Sequence, residues 1–546
     1  MLPGPTGAAA GEAILNEVSD YVVVGGGTAG CILAARLSED PGTRVTLLEA
    51  GPPDRDPWIH IPAGYARLSK SRRYDWGYAT EPEPELNDRV IAWPRGKVLG
   101  GSGSVNGLVF LRGSPHDYDR WAQAGARGWA WDDVAPVFRG LERWEGEAGD
   151  SRGKDGPIPV SEPRSLSTGA AAFIAACQTA GFRLHRDIND GSIEGVAAIQ
   201  MNVHAGRRVS TAQAYLKPAR GRPNLRVITG ASAQRVVVAD GRATGVQVRL
   251  PGGEVTTLAA TREVVLCSGA IATPHLLLLS GIGDGAALAA HGIAPVLHRP
   301  AVGQNLQDHL IARLSYRTRP AGTLNEITAS KLRMAAMALG YAIKRSGPMA
   351  VGATEATLFA RATPGAEEAE LQYQFINFSL VPDAGYVLPP YPGVMMNWGP
   401  CRPDSRGSLT LRSADPADRP IIHANYLSAA SDRHLMLAGA RIGQRIARSD
   451  PFAALVEEEL YPPREIDSDE ELLAYIRATA TTVYHPCGTC RMGADDAAVL
   501  DPALRIRGLD GLRVADASAM PLVPSSNIQP AVMMLAERAA GFIRAG

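Results

Sequence analysis

Residues 20–49 leave this chain few choices of fold. Asp20-Tyr21-Val22-Val23-Val24 is a continuous run dominated by β-branched residues, the pattern of a parallel strand buried on both faces. It enters Gly25-Gly26-Gly27-Thr28-Ala29-Gly30, a G-x-G-x-x-G, and then Cys31-Ile32-Leu33-Ala34-Ala35-Arg36-Leu37, which reads as a helix. Gly25 permits the tight turn, Gly27 lets a pyrophosphate approach the backbone, and Gly30 lets helix pack on strand. The free N–H groups at the helix start and the helix dipole favour the diphosphate there. A second strand, Arg44-Val45-Thr46-Leu47-Leu48, ends at Glu49, an acid placed to accept the ribose hydroxyls of an adenosine. Strand, glycines, helix, strand and acid together predict a dinucleotide site in an α/β sheet. The bland alternative is a Gly-rich βα turn with no ligand. The fingerprint alone does not choose between FAD and NAD.

Bulk properties narrow the partners. At 546 residues the chain is long enough for two or more domains. Its 55 basic and 56 acidic residues nearly cancel, so no global field recruits nucleic acid. The first twenty residues lack the basic start and sustained apolar core of a signal peptide, and 1–18 read as a flexible lead-in. No apolar run approaches the ~18 residues of a membrane span. Six cysteines in a chain this long fit a reducing cytoplasm better than a disulfide framework. Cys487 and Cys490 form a lone C-x-x-C without the second pair of a zinc site, so no metal is expected.

Later segments add loops that suit a large flat ligand. Trp93 to Asn106 is a second Gly/Ser-rich stretch, and Gly269 to Gly283 follows the strand Glu263-Val264-Val265-Leu266-Cys267 as another strand–turn–helix. Val302 to His309 reads as a polar turn, which His309 secures. In Tyr484-His485-Pro486-Cys487-Gly488-Thr489-Cys490-Arg491-Met492-Gly493 a histidine stands on a Pro- and Gly-punctuated segment rather than an apolar helix face. Imidazole titrates near working pH, so His485 is the candidate general base. The competing reading is a histidine packed on Pro486 and tied to backbone.

Taken together, GGGTAG, LLEAG, RGKVLGGSGSVN, GAIATPHLLLLSGIG, VGQNLQDH, YHPCGTCRMG and GLRVADASAMP resemble the glucose–methanol–choline (GMC) oxidoreductases, in the order that family carries them. The similarity runs from about Asp20 to the C-terminus, and its texture is closest to choline-dehydrogenase-like bacterial alcohol dehydrogenases. The resemblance implies a Rossmann-like FAD-binding domain built from discontinuous segments (19–156, 212–311 and 480–546), mixing α/β and α+β character with its partner. That partner is a substrate-binding domain (157–211 and 312–479) carrying an antiparallel sheet. It implies oxidation of a primary alcohol, with hydride passing to flavin N5 and His485 taking the proton; which alcohol is left open, uncharged aliphatic or aromatic ones being a guess. A lyase of hydroxynitrile-lyase type on the same scaffold is the alternative. The electron acceptor is left open between oxygen, quinone or another oxidant, as is the oligomeric state.

The resemblance also assigns residues. Gly25, Gly27, Thr28, Ala29, Gly30 and Glu49 serve the dinucleotide. Arg95, Gly100, Gly101, Gly103, Asn106 and Gly107 match the loop beside the flavin, with Tyr484, Asp516 and Ala517 contacting it from the C-terminal part. Relatives with covalent FAD attach it through a histidine where this chain has Val105, so non-covalent FAD is expected. The second catalytic side chain, usually His or Asn, aligns without a gap on Gln529, which also borders the cofactor. Asn527 lies two residues earlier, and the proline that usually follows the catalytic Asn arrives one residue early, at Pro530. Gln529 is the preferred partner for His485, and a local shift that brings in Asn527 is the alternative.

Outside these motifs, Leu371 to Phe378 and Gly407 to Leu411 alternate like antiparallel strands with one buried face. Asp56 to Pro94, rich in proline, reads as an extended loop over the cofactor. Phe375, Phe378 and Trp398 read as core rather than pocket lining. Ala329 to Arg345 reads as a packed helix, the alternatives being a channel lid or a peripheral membrane-contact surface.

Overall fold

The computed structural model describes residues 18–69, 71–147, 149–381, 387–463 and 466–546. Apart from Val18, the expected flexible lead-in lies outside them. Strand β1 (Ser19–Val24), helix α1 (Thr28–Leu37) and strand β2 (Val45–Glu49) form the expected unit. β1 and β2 pair in parallel from Tyr21↔Val45 to Val24↔Leu48.

Distant segments complete this sheet. β3 (Leu225–Thr229) lies parallel outside β2. β4 (Ser232–Ala239) and β5 (Arg242–Arg249) form an antiparallel meander with the first half of the long β6 (Val255–Leu266). The second half of β6 runs parallel to β1, and Leu512–Val514 adds a last parallel strand beyond it. Val22, Val23, Leu47, Leu48, Val264 and Val265 are all buried, as expected where helices cover both faces. α1 has eight of its ten residues buried and packs against the C-terminal helix Gln529–Ala545. α2 (Gly269–Leu279) follows β6 and is apolar nearly all round.

The second sheet is antiparallel. Its centre is β7 (Leu310–Thr318), β8 (Thr354–Ala360), β9 (Leu371–Ile376) and β10 (Gly393–Pro400), in spatial order β7-β10-β9-β8. Val456–Tyr461 and Thr481–Thr482 pair with β7, and Gly195–Ala198 pairs with β8. β7 runs through the boundary expected between 311 and 312.

Two expectations are corrected here. β9 is buried on both faces, not one. Leu371, Tyr373 and Phe375 face the helices Thr168–Thr179 and Ala430–Ala447; Phe375 stacks on Phe173, and the Tyr373 hydroxyl donates to the Gly439 carbonyl. Gln374 and Ile376 face an internal cavity instead of solvent, so polar residues alternate without marking a wet face. Phe378 also lines that cavity, whereas Phe375 and Trp398 are core.

The second correction concerns the helix Lys331–Lys344, which forms as expected but is not packed. Only Tyr341 is buried, and its hydroxyl donates to the Gly206 carbonyl. Leu332, Leu339 and Ile343 are 81%, 62% and 71% exposed. Their spacing puts all three on one outward stripe, opposite Tyr341. No residue of this helix lines the cavity.

The segment Asp56 to Pro94 breaks into one-turn helices, Pro57–His60 and Tyr65–Leu68, and a strand pair, Tyr78–Ala79 with Ala92–Trp93. It supplies Tyr65, Leu68, Tyr74, Trp76 and Tyr78 to the cavity wall.

Candidate active site

A cavity of about 1170 Å³ runs between the two sheets. Typical small-molecule sites span ~300–1,000 Å³, so a dinucleotide and a substrate can share this space. One end is bounded by Gly25, Gly27, Thr28, Ala29 and Glu49, and the middle by Arg95, Gly101, Gly103, Asn106 and Gly107. Tyr484, His485, Asp516, Ala517, Asn527 and Gln529 also line it. Of the expected site residues, Gly30 and Gly100 do not line it. A Cβ on Gly30 would lie 1.9 Å from the Gly25 carbonyl oxygen, so this glycine is needed for the helix to approach the turn. Gly100 has φ +88° and donates its N–H to the Gly26 carbonyl (2.7 Å), joining the two Gly-rich loops.

The residues present fit a flavin dinucleotide. A Cβ on Gly27 would meet nothing closer than 3.8 Å, which leaves a ligand room against the backbone where α1 begins. Glu49 is buried; its oxygens accept N–H groups from Gly26 (2.9 Å) and Gly51 (2.7 Å), and burial pushes its carboxyl up to about 7. Hydroxyl donors from a ribose would stabilise the carboxylate that burial disfavours. Gln529 Nε2 is enclosed without a partner, an orphan donor beside Gly103 and Thr28. Buried donors are rarely left so.

His485 owes its position to a backbone pairing with the segment read from sequence as a polar turn. Gln307 and Cys487 exchange N–H···O bonds (3.1 and 2.9 Å), and the Gly303 N–H donates to the Thr489 carbonyl (2.8 Å). On the other side, Gly488, Cys490 and Met492 donate to the carbonyls of Ala517, Ser518 and Ala519. The His485 N–H donates to Asp308 Oδ1 (2.7 Å), while Asp308 Oδ2 accepts the hydroxyls of Thr482 (2.5 Å) and Tyr426. Tyr484 is held at φ +70°, with its carbonyl accepting from the half-buried Arg95 guanidinium (3.0 Å). Cys487 and Cys490 are free buried thiols within this arrangement, and burial raises both above the usual thiol range.

The ring hydrogen bonds assign the tautomers. His309 Nε2 lies 2.8 Å from the Cys401 carbonyl oxygen, an acceptor only, so Nε2 carries the proton. Burial pushes the His309 imidazole down to about 4, so it is neutral and its Nδ1 is an acceptor. His309 Nδ1 is 2.9 Å from His485 Nδ1, which must therefore be the donor. The lone pair of His485 is left on Nε2, 3.0 Å from the Asn527 Nδ2 amide. Burial, then His309 and Arg95, holds the His485 imidazole well below its ordinary titration range. The result is a neutral base with one defined lone pair at the cavity wall.

The structure brings Asn527, not Gln529, against His485. Asn527 Oδ1 faces Gln372 Nε2 at 3.4 Å, which orients the amide nitrogen toward the histidine. Gln529 is the first residue of the C-terminal helix, and its Oε1 accepts from Asn106 Nδ2 (2.5 Å). Asn106 is fixed in turn by the buried Arg208, whose guanidinium donates to Asn106 Oδ1 (2.7 Å), the Asn106 carbonyl (2.6 Å) and the Ile59 carbonyl (2.8 Å). Burial depresses Arg208 to about 9. The sequence reading missed Arg208, Asp308 and Gln372, and gave His309 only a turn. The one available signal was that Asp308-His309 falls inside a family motif. Among the described residues no helix is long and apolar enough to cross a membrane.

Comparison with known proteins agrees with this geometry. A sequence profile for GMC oxidoreductase matches residues 19–311, and a second of the same description matches 403–536. The chain is 39% identical over 526 residues to an alcohol dehydrogenase [acceptor] of Pseudomonas putida, covering 96% of this chain and 95% of that one. It is 40% identical over 534 residues to an oxygen-dependent choline dehydrogenase of Brucella melitensis, with 96% and 95% covered. Among solved structures, pyridoxine 4-oxidase from Mesorbium loti superposes with a TM-score of 0.88 at 34% identity, covering 97% of this chain and 99% of that one.

Proposed function

The chain belongs to the GMC oxidoreductase family, and from that premise we propose that it oxidises a primary alcohol to an aldehyde with non-covalent FAD, His485 acting as general base. The observation that carries the reading is the His485 Nε2 lone pair at the cavity wall, neutral and fixed in tautomer through His309. Bound FAD supplies a two-electron acceptor for the hydride.

The residues of the chain supply proton removal and positioning. An alcohol proton is weakly acidic, so losing hydride is easier if a base takes the proton as the C–H bond breaks. His485 Nε2 meets that need once the hydroxyl sits within about 2.6–3.2 Å, a contribution of ~10²–10⁴-fold. Asn527 offers an amide beside the same nitrogen and orients the hydroxyl, the remaining large contribution a protein can make. Val105 at the cavity wall has no nucleophile for a covalent flavin link. The two sheets support a dinucleotide part and a substrate part, although Leu310–Thr318 and Thr481–Thr482 carry the second sheet across the boundaries at 311/312 and 479/480, and six free, buried cysteines support a reducing cytoplasm.

Anaerobic addition of a primary alcohol to the holoenzyme is expected to bleach the oxidised flavin band, and acid precipitation to release FAD. Carbonyl and cyanide released from a cyanohydrin, with that band untouched across an alcohol panel, would replace oxidation by lyase chemistry.

A further inference from the structure

The floor of the cavity carries a polar row that the reaction itself does not use. Arg313 on β7 pairs in register with Asn397 on β10, and Asn397 with Gln374 on β9. All three line the cavity. Asn397 and Gln374 are 6% exposed each, and Asn397 Oδ1 is enclosed with no partner. Among the described residues none of the three side chains makes a hydrogen bond or ion pair to protein. Buried amides are nearly always paired; here the Arg313 guanidinium and the amide nitrogens of Asn397 and Gln374 are donors that an acceptor on a ligand would satisfy, while Asn397 Oδ1 is an acceptor that a neighbouring donor must serve.

The row's place relative to the base is fixed by strand geometry. Gln372, whose amide touches Asn527, precedes Gln374 by two residues, so the row lies roughly 7 Å further along the floor. Of the flanking positions of the same face, Ile311 before the row and Ile376 and Met395 after it are apolar, while Gln372 before it and Ser315 after it are polar. A substrate with its hydroxyl at His485 would pass Ile311 and end against Arg313, Asn397 and Gln374. A guanidinium presents parallel N–H donors that match a carboxylate, and amide donors alongside complete its coordination.

We propose that the substrate alcohol carries a carboxylate at its far end, bound by Arg313, Asn397 and Gln374, so that the preferred substrate is an ω-hydroxy acid rather than an uncharged alcohol. This rests on the alcohol-oxidising reading for the reaction, but the binding of the carboxylate does not. The test therefore has two arms on the holoenzyme. In the first, unreactive hexanoate is titrated and followed by perturbation of the flavin band. Binding is expected, weakened about 30-fold or more in Arg313→Met, the loss typical when one member of a buried charge pair is removed. In the second, kcat/KM is compared for ω-hydroxyhexanoate and n-hexanol. The hydroxy acid is expected to exceed the alcohol at least ~10-fold, with Arg313→Met removing that advantage and leaving hexanol within a few fold. Arg313→Lys, which keeps the charge but not the fork, should fall between. Hexanoate that binds wild type and Arg313→Met alike, or hexanol used as well as the hydroxy acid, would overturn the proposal. If no alcohol bleaches the flavin, the oxidation reading fails, while the hexanoate titration still decides the subsite.

Discussion

Replacing His309 with leucine tests the chain of reasoning from tautomer to base. In the native arrangement the Cys401 carbonyl accepts from His309 Nε2 (2.8 Å), and His309 Nδ1 accepts from His485 Nδ1 (2.9 Å). Leucine fills similar apolar space but removes the acceptor, leaving the His485 Nδ1 proton buried without a partner. An unpaired buried donor costs about 1–3 kcal/mol. His485 can escape that cost by carrying its proton on Nε2 instead, the nitrogen proposed to receive the alcohol proton. The productive tautomer then lies about 1–3 kcal/mol higher, which slows proton removal roughly 5- to 150-fold.

The assay is anaerobic stopped-flow bleaching of the flavin band against alcohol concentration, with FAD content checked beforehand. The limiting reduction rate should fall while the FAD stoichiometry holds. His309→Gln separates tautomer control from simple packing, because its amide can donate to Cys401 and still accept from His485. It should stay within a few fold of wild type. A His309→Leu enzyme that reduces flavin at the native rate would refute the argument, as would equal losses in both variants.

Other outcomes follow from the same geometry. His485 is depressed by burial, so its active neutral form persists below the ordinary imidazole value; kcat/KM should stay flat as pH falls through about 6.5 and decline only where the depressed group protonates, and an acid limb at or above 6.5 would contradict this. Asn527→Leu should lower the flavin reduction rate at least ~10-fold with FAD retained, whereas Gln529→Leu should weaken FAD binding, read by titration of apoenzyme, and spare the reduction rate; the reverse pattern would make Gln529 the partner of His485. Leu332→Ala with Ile343→Ala should change unfolding free energy in urea by less than ~0.5 kcal/mol per site, against ~2–5 for a buried Leu or Ile, and a larger loss would mean the stripe is covered in solution.

The fold was most legible where its interactions are local. β1, α1 and β2 sit within thirty-one residues, 19–49, and each strand, turn glycine and buried helix face leaves a mark in sequence. The rest of that sheet is brought in from Leu225–Thr229, Val255–Leu266 and Leu512–Val514, whose apolar runs announce strands but not neighbours. Periodicity misled in two places for one reason: it reports which residues share a face, not what the face meets. Gln372 and Gln374 alternate with apolar residues as they would on a wet sheet, yet both are buried, Gln372 against Asn527 and Gln374 at the cavity. In the helix Lys331–Lys344 the apolar stripe points outward and Tyr341 holds the inner side, a choice no hydrophobic pattern encodes.

The site shows a sharper limit. His485 stood out because its segment breaks regular structure, but His309 looked like a turn residue because the ring it orients is 176 positions away. Gln529 and Asn527 were separated by counting residues from fixed anchors, and counting assumes that the backbone between anchors keeps its conformation. Here it is the start of the C-terminal helix that decides. Pro530 falls in the first turn, where its missing N–H costs nothing and its fixed φ suits the helix. Gln529 thereby becomes the first helical residue and turns to Asn106, while Asn527 stays on the preceding loop, free to meet His485. Pro530 in the first turn fixes where this helix starts, and the helix start sets which amide reaches His485.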